Sequence, residues 1–331
     1  MTTTLPSLDA LVDAAVGFAI PMRLRFRDTS VREGLLIRGP AGWGEFAPFP
    51  EYAPAESSRW LACAVEAAWV GWPAPVRTTV PVNAIVPAVP PAVAAELVAA
   101  AGCATVKVKV AQHGQRLDDD VARLRAVREA LGPDGAIRID ANGAWTVDEA
   151  VDALAALAPF RLQYVEQPCA SLAELVRLRR RTDVLVAVDE GVRRAPDPSH
   201  VEGLRAAADV VVLKAAPLGG VAPALALAKA SGLPAVVSSA LDTSVGLAAG
   251  LALAAALPTL PYACGLGTAS LLSSDVAADR VHPDGGVLMV RSVEPDPDHL
   301  SAVAMDPMQM AAWLDRLAAS YDHLAAVGGT A

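Results

Sequence analysis

Three acidic residues each close a short β-like run, at nearly equal intervals along the middle of the chain. These residues are Asp140, Glu166 and Asp189, and the runs span residues 137–140, 163–166 and 186–189. Glu166 follows Asp140 by 26 residues, and Asp189 follows Glu166 by 23. One strand, one helix and two loops fill such an interval in a β/α barrel. Because the parallel strands of a barrel all end on the same face, the spacing predicts that the three carboxylates converge there.

The sequence from residue 80 onward alternates between strand-like and helix-like segments. The predicted strands cover residues 80–85, 105–110, 137–140, 163–166, 186–189, 210–214, 234–239 and 262–265. Capping boxes that begin at Thr146 and Ser171 mark the starts of two of the intervening helices. An open doubly wound sheet often carries a G-x-G-x-x-G fingerprint, which this sequence lacks. Polar residues at the ends of at least four successive strands favour the closed barrel, where every strand end reaches one site.

The first 79 residues follow a different pattern. Two β-like runs, at residues 16–20 and 33–38, are joined by an arginine-rich loop, and a helical stretch covers residues 55–70. We therefore predict an α+β capping domain over residues 1–79 and a catalytic barrel over residues 80–285. Residues 286–331 are expected to return to the capping domain. The loop between Pro21 and Arg32 is a candidate lid over the site.

Composition limits the partners and the cellular compartment. The chain of 331 residues has a net charge of −9, so it lacks the basic face that nucleic acid or an anionic membrane would require. Its four cysteines form no C-x-x-C pair, which argues against a zinc site or a disulfide framework. The N-terminus shows no signal-peptide pattern, and the apolar stretch 245–257 is too short to span a bilayer. We predict a cytoplasmic monomer or small homo-oligomer that acts on a small molecule.

Lysines flank the three acidic strand ends. Lys107 and Lys109 point to one face of their strand because side chains alternate in a strand, and Lys214 ends the run 210–214. Two neighbouring ammonium groups are expected to lower each other's pKa, which would suit one of them to act as a general base. An isolated Lys-Val-Lys more often lies on a solvated edge strand, but a strand inside a barrel must direct its lysines toward something polar.

Each carboxylate has an ordinary structural explanation when it is taken alone. Asp140 suits a turn, Glu166 could lie in a surface loop, and the adjacent Asp189 and Glu190 could be a salt-bridged pair. Together they are three hard oxygen donors of the kind that bind Mg²⁺. Lysines beside such an ion suit the removal of a proton next to a carbonyl group, because the cation stabilises the negative charge that develops.

The ordered motifs carry a family resemblance. The chain resembles the muconate-cycloisomerase subgroup of the enolase superfamily and, within it, the short actinobacterial-type form of the o-succinylbenzoate synthase family. The motifs are Val-Lys-Val-Lys-Val at 106–110, Ile-Asp-Ala-Asn-Gly at 139–143, Tyr-Val-Glu-Gln-Pro at 164–168, Val-Asp-Glu at 188–190 and Leu-Lys at 213–214. Residues 31–34 and 44–45 also resemble the capping domain of that superfamily.

The resemblance implies an α/β fold, namely a modified (β/α)7β TIM barrel capped by the N-terminal segment and the C-terminal tail. It implies that Asp140, Glu166 and Asp189 bind one Mg²⁺ ion. It also implies that Lys109 is the base, that Lys107 tunes it, and that Lys214 is a cation across the substrate. The implied substrate-binding residues are Asn142, Ser239, Gly265 and Leu266. Glu190 would have an indirect role at most.

The activity implied by the resemblance is a dehydration in menaquinone biosynthesis. The substrate 2-succinyl-6-hydroxy-2,4-cyclohexadiene-1-carboxylate would lose water through an enediolate and become o-succinylbenzoate. Racemisation of N-succinylamino acids or epimerisation of dipeptides remains open, because Lys109 and Lys214 could act as two bases on opposite faces. The same motifs are also compatible with a muconate-type cycloisomerase or with a barrel that serves as a non-catalytic scaffold.

Overall fold

A computed structural model of the protein describes residues 5–26 and 29–328. The N-terminal part comprises α1 (Leu8–Asp13), β1 (Ala15–Phe26), β2 (Thr29–Gly39), β3 (Gly42–Phe46), α2 (Pro54–Val65) and a π-helical turn (Glu66–Val70). The middle part comprises β4 (Thr79–Pro81), β5 (Ala84–Val86), α3 (Pro91–Ala101), β6 (Thr105–Lys109), α4 (Leu117–Leu131), β7 (Ala136–Asp140), α5 (Val147–Leu157), β8 (Leu162–Glu166), α6 (Leu172–Arg179), β9 (Val186–Val188), α7 (Glu190–Arg193), α8 (Leu204–Ala207), β10 (Val210–Leu213), α9 (Val221–Ser231), β11 (Ala235–Val237) and α10 (Ser244–Ala256). The C-terminal part comprises β12 (Val287–Met289), α11 (Pro297–Ala302) and α12 (Pro307–Gly328).

The middle part is a curled parallel sheet. Within the described residues it contains seven strands in the order β11-β10-β9-β8-β7-β6-β5, so consecutive strands are neighbours. Strands β9 and β10 are continuous buried apolar runs, Val-Ala-Val and Val-Val-Val-Leu, as expected of parallel strands that are covered on both faces. Thr146 and Ser171 each accept a hydrogen bond from the N–H group of the glutamate three residues later, which confirms both predicted capping boxes.

The sheet closes through the segment 264–265. Cys264 forms an isolated parallel bridge with Val82 at one edge, and Gly265 forms one with Ser238 at the other edge. The N–H group of Cys264 donates to Pro81 O at 2.7 Å, and that of Gly265 donates to Val237 O at 2.8 Å. The predicted eighth strand is therefore reduced to two residues that bridge both edges. This agrees with the predicted α/β barrel.

The N-terminal part is more regular than the sequence suggested. Strands β1 and β2 are longer than the predicted runs, and residues 42–46 form a third strand, β3, which was not among the predicted runs. The first half of the candidate lid, up to Phe26, belongs to β1. Arg27 and Asp28 of that loop lie outside the described residues.

The N-terminal part also contacts the barrel and the C-terminal helix. The ring of Phe46 on β3 makes an edge contact with Trp313 of α12, at a centroid distance of 6.0 Å. Glu66 accepts hydrogen bonds from the N–H groups of Val221 and Ala222 in the first turn of α9. That carboxylate therefore caps a barrel helix, where the helix dipole favours negative charge.

Candidate active site

The strand register brings the predicted site residues to one end of the barrel. Lys109 pairs with Asp140 across β6 and β7, and Asp140 pairs with Glu166 across β7 and β8. Asp189 follows the last residue of β9, and Lys214 follows the last residue of β10. The three carboxylates and three lysines therefore come from five successive strands, as the spacing predicted. All six residues are buried.

The lysines of β6 lie among the first two carboxylates. Lys107 Nζ donates to both carboxylate oxygens of Glu166, at 2.9 and 3.0 Å, and to Asp140 Oδ2 at 3.2 Å. Lys109 Nζ donates to Asp140 Oδ2 at 2.5 Å and to Asn142 Oδ1 at 2.6 Å. Each ammonium group is thus hydrogen-bonded to the partners that a buried positive charge requires.

Burial and neighbouring charge shift the pKa of two of these groups. Burial raises the pKa of Glu166 to about 7, and the negative charge of Asp140 adds to the shift in spite of Lys107. Burial alone would lower the pKa of Lys107, but the charges of Glu166 and Asp140 outweigh it and raise that pKa. The expectation that lysine–lysine repulsion lowers the pKa is therefore wrong for Lys107.

A second group of contacts surrounds Asp189. Lys214 Nζ lies 2.6 Å from Asp189 Oδ2, and Arg193 Nε donates to Asp189 Oδ1 at 3.0 Å. Arg193 also donates to the hydroxyl of Tyr52, which lies in the capping part, at 2.6 Å. The side-chain oxygen of Gln167 accepts the N–H group of Asp189 at 3.0 Å. These contacts fix the position of the third carboxylate at the end of β9.

A pocket opens above these charged groups. Lys107, Lys109, Asp140 and Lys214 line its floor. Its walls are formed by residues of both parts of the chain, namely Phe49, Ile85, Ser238, Ser239, Ala240, Leu241 and Thr268. Both Lys109 and Lys214 can therefore reach a molecule bound in the pocket.

The predicted substrate-binding residues divide into two groups. Ser239 lines the pocket and shares a 2.6 Å hydrogen bond with Thr268, and Asn142 contacts Lys109. Gly265 lies behind Ser239, where its carbonyl oxygen accepts the Ser239 N–H group at 3.0 Å. Leu266 is fully buried against Gly250 of α10. The structure thus places the side chain of Leu266 in the core and only Ser239 on the pocket wall.

Comparisons with known proteins identify the family. A family model described as enolase C-terminal domain-like matches residues 91–296, and one described as enolase N-terminal domain-like matches residues 17–68. A protein named o-succinylbenzoate synthase from Thermobifida fusca is 61% identical over 303 residues, which cover 92% of this chain and 94% of that protein. A protein of the same name from Mycolicibacterium smegmatis is 52% identical over 324 residues, covering 97% and 99%. The chain belongs to the o-succinylbenzoate synthase family of the enolase superfamily.

Solved structures place this o-succinylbenzoate synthase family member in the enolase-superfamily fold. The N-succinyl Arg/Lys racemase from Bacillus cereus matches with a TM-score of 0.74 at 20% identity, over 88% of this chain and 97% of that one. Muconate lactonizing enzyme from Pseudomonas fluorescens matches with a TM-score of 0.73 at 20% identity, over 88% and 98%. At these identities the likeness concerns the fold alone.

Members of the enolase superfamily use Mg²⁺. In the part of the chain that the structure describes, no group of three or more His, Cys, Asp or Glu side chains is arranged to hold a metal ion. Lysine ammonium groups instead lie against the carboxylates of this o-succinylbenzoate synthase family member. The donors themselves fit Mg²⁺, because they are three buried carboxylates: burial, together with the charges of Asp140 and Asp189, raises the pKa of Glu166, which a bound cation would offset.

The structure also adds residues that sequence reasoning missed. Arg193 follows Asp189 by four residues on α7, so helical spacing could have suggested the contact. Phe49 and Tyr52 reach the site from the capping part, and Arg138 stacks on Tyr164 inside the barrel, at 4.8 Å from the ring centroid. No local sequence pattern points to these three, because their partners lie far away along the chain.

Proposed function

We propose that the protein is a hydro-lyase that converts 2-succinyl-6-hydroxy-2,4-cyclohexadiene-1-carboxylate into o-succinylbenzoate for menaquinone biosynthesis. The observation that carries the proposal is the convergence of three buried carboxylates and three buried lysines at one end of the barrel, where the three lysines and Asp140 line one pocket. The names of relatives that are 61% and 52% identical over nearly the whole chain support the same reaction.

The proposed base is Lys109. In its neutral form its Nζ would take the proton from the carbon next to the substrate carboxylate, so the C–H bond breaks and its electrons move toward that carboxylate. The electrons then return to form the ring double bond, and the C–O bond to the hydroxyl group breaks. The same Nζ returns the proton to the leaving hydroxyl, so water departs and the ring becomes aromatic. Lys109 begins and ends the cycle in the same protonation state.

The proposed metal ligands are Asp140, Glu166 and Asp189. A bound Mg²⁺ ion would supply positive charge that stabilises the negative charge developing on the substrate carboxylate. Lys107 bridges two of these carboxylates, so an ion there would compete with its ammonium group for their oxygens. Lys214 would keep a second positive charge across the substrate from Lys109, held by Asp189.

The other proposed contacts are with the substrate. Ser239 offers a hydroxyl group on the pocket wall, and Asn142 orients Lys109 through its side-chain oxygen. For Gly265 and Leu266 we propose a role through the backbone of the short closing segment, since the Leu266 side chain lies in the core.

Racemisation of N-succinylamino acids is the second candidate function. It is favoured by one observation, namely that Lys109 and Lys214 both line the pocket and come from β6 and β10 on different sides of the barrel. Two bases on opposite faces of a substrate carbon are what a racemase requires. Dehydration needs only one of them as a base.

The test is an ultraviolet assay of the purified protein with the cyclohexadiene substrate, with and without Mg²⁺. We expect Mg²⁺-dependent formation of the aromatic product, and N-succinylamino acids should be assayed for racemisation in parallel. Turnover of an N-succinylamino acid without any dehydration would reverse the order of the two functions. Neither activity in the folded, Mg²⁺-loaded protein would contradict both.

We also propose a cytoplasmic location, because all four cysteines are unpaired thiols, and assembly as a monomer or small homo-oligomer. Among the helices of residues 5–26 and 29–328, none is long and apolar enough to cross a membrane. The division into residues 1–79, 80–285 and 286–331 likewise remains a proposal. It is supported by the contact of Trp313 with Phe46, which joins the C-terminal helix to the N-terminal sheet.

A further inference from the structure

Arg32 on β2 is a fully enclosed arginine at the junction between the capping part and the barrel. It is 2% exposed, and its guanidinium group lies over the rings of Phe49 and Trp60, at 4.8 and 5.8 Å from their centroids. It forms no ion pair shorter than 4 Å among those seen in the described residues. Instead it donates to four backbone carbonyl groups, which is unusual because a buried charge normally pairs with a carboxylate.

These four carbonyl groups belong to three separate segments. Arg32 Nε donates to Leu241 O at 2.9 Å, and Nη2 donates to Ala240 O at 3.4 Å and to Ala47 O. Nη1 donates to Glu33 O at 3.4 Å. One rigid fork of donors therefore holds the end of β3 in the capping part against the loop that follows β11 in the barrel.

The segments that Arg32 holds are walls of the reaction pocket. Phe49, Ala240 and Leu241 all line it, and each of them contacts Arg32 through its ring or its carbonyl group. Leu241 has a φ of +63°, a backbone conformation that a branched side chain adopts only when its surroundings enforce it. The hydrogen bond from Arg32 to Leu241 O is one of the contacts that enforce it.

The charge of Arg32 is balanced at longer range. Asp242, and Glu45 once it is ionised, favour its charged form, although burial lowers its pKa from the ordinary value. The positive charge could therefore be satisfied by a lysine at the same place. A lysine could not replace the hydrogen bonds to all four carbonyl groups, because the donors of an ammonium group share one nitrogen atom and cannot reach three separate segments.

We propose that Arg32 is a positioning residue for the reaction, which acts by holding Phe49 of the capping part and Ala240–Leu241 of the barrel as one wall of the pocket. It does not touch the substrate itself. The predicted change in KM rests on the proposed function. The predicted loosening of the pocket wall does not, because it is independent of which molecule binds there.

The kinetic test compares Arg32→Met with a control, Arg77→Met. Arg77 also lies within residues 1–79 and donates to two barrel carbonyl groups, those of Ala254 and Pro258, and neither of these residues lines the pocket or contacts the site residues. For Arg32→Met we expect kcat/KM to fall by about 10- to 100-fold, with a raised KM, because wall contacts also form in the ground state. Loss of folded molecules would lower the apparent kcat without changing KM, and we expect Arg77→Met to leave KM unchanged.

A second measurement requires no substrate. Hydrogen–deuterium exchange of the segment 239–243 should become about tenfold faster in Arg32→Met and stay unchanged in Arg77→Met. If the wild-type protein does not convert the cyclohexadiene substrate, the proposed function fails while the exchange measurement still decides the role of Arg32. Unchanged exchange in Arg32→Met, or a KM equal to that of Arg77→Met, would overturn the inference.

A conservative variant keeps the test valid if Arg32→Met does not fold. Arg32→Lys retains the positive charge near Glu45 and Asp242 but loses the fork. We expect Arg32→Lys to raise KM and to speed up exchange of the segment 239–243, but by less than Arg32→Met does. A lysine variant with wild-type KM and wild-type exchange would mean that only the charge matters, and would also overturn the inference.

Discussion

The Nζ atom of Lys109 lies 2.5 Å from Oδ2 of Asp140, and neither side chain is more than 10% exposed. The two residues are directly paired across β6 and β7, so the barrel backbone sets their separation. This contact joins the proposed base to a proposed metal ligand. A cation bound at Asp140 would compete with Lys109 for the same oxygen. Lys109 would then be free to turn toward the pocket, so metal binding would be coupled to the availability of the base.

Replacing Lys109 tests the proposed base. We expect Lys109→Ala to lower kcat by at least about 10³-fold, because general base catalysis by a positioned group contributes on that order. The fold should be retained, since the short alanine leaves Asp140 in contact with Lys107 and with the Asn142 N–H group. Steady-state kinetics and circular dichroism of the purified variant check both statements.

The chain supplies its own control for this variant. It contains four lysines, and the one outside the site, Lys229, is exposed on α9. Lys229→Ala should have wild-type kinetics. Near-normal turnover in Lys109→Ala would remove Lys109 from the role of base.

Replacing Lys107 tests the competition between its ammonium group and the metal. Without Mg²⁺, Lys107→Met removes the ammonium group that donates to both carboxylate oxygens of Glu166, while Asp140 keeps Lys109, so the free energy of unfolding should fall by about 3–5 kcal/mol. Added Mg²⁺ should raise the melting temperature of the variant more than that of the wild-type protein, because the ion no longer displaces a lysine. Thermal unfolding at several Mg²⁺ concentrations measures this, and equal Mg²⁺ shifts in the two proteins would contradict the proposed ligand set.

The barrel part of this site follows from the sequence. The acidic residues end β-branched runs at a barrel-like interval, and the structure places Asp140, Glu166 and Asp189 at neighbouring strand ends. Parallel strands in a barrel share one active face, so local strand prediction is enough to bring such residues together. The eighth strand was predicted too long. The closing segment is only two residues long, Cys264 and Gly265, because contacts with both edges of the sheet set its length. Such contacts leave no periodic pattern in the sequence.

The contribution of the capping part could not be predicted in the same way. Phe49 and Tyr52 reach the pocket through the docking of one part of the chain on another, and no repeat or spacing encodes that geometry. The direction of the Lys107 pKa shift was also missed. It depends on how closely Glu166, which is 59 residues away in sequence, approaches the ammonium group.

Replacing Lys214 separates the two candidate functions. Arginine retains a positive charge next to Asp189 but cannot exchange a proton under ordinary conditions. We expect Lys214→Arg to retain measurable dehydration and to lose racemisation of N-succinylamino acids by at least about 10³-fold. Both activities are assayed on the same preparation, and Lys214→Met is the control that removes the charge as well. Equal loss of both activities in Lys214→Arg would mean that Lys214 transfers a proton in the dehydration too.

The last prediction concerns pH and Glu45, which links the capping part to the barrel. Its Oε2 accepts hydrogen bonds from Thr243 and from the Gly246 N–H group at the start of α10, while Oε1 has no hydrogen-bond partner among the described residues. Burial, with the negative charge of Asp242, raises the pKa of Glu45 to about 8. The folded protein therefore holds a proton that the unfolded chain loses near pH 4.5, so this group reduces stability progressively as the pH rises from about 4.5 to about 8.

Glu45→Gln mimics the neutral carboxyl group and should remove this dependence. We expect the melting temperatures of the two proteins to be similar at pH 5, and the wild-type protein to become less stable than the variant as the pH approaches 8, with no further change above that value. Glu129→Gln, at an exposed position on α4, is the control and should follow the wild-type curve. A difference between Glu45→Gln and wild type that stays constant from pH 5 to pH 9 would show that Glu45 is already ionised in the folded protein. The hydrogen bonds from α10 and the charge of Arg32 would then outweigh the cost of its burial.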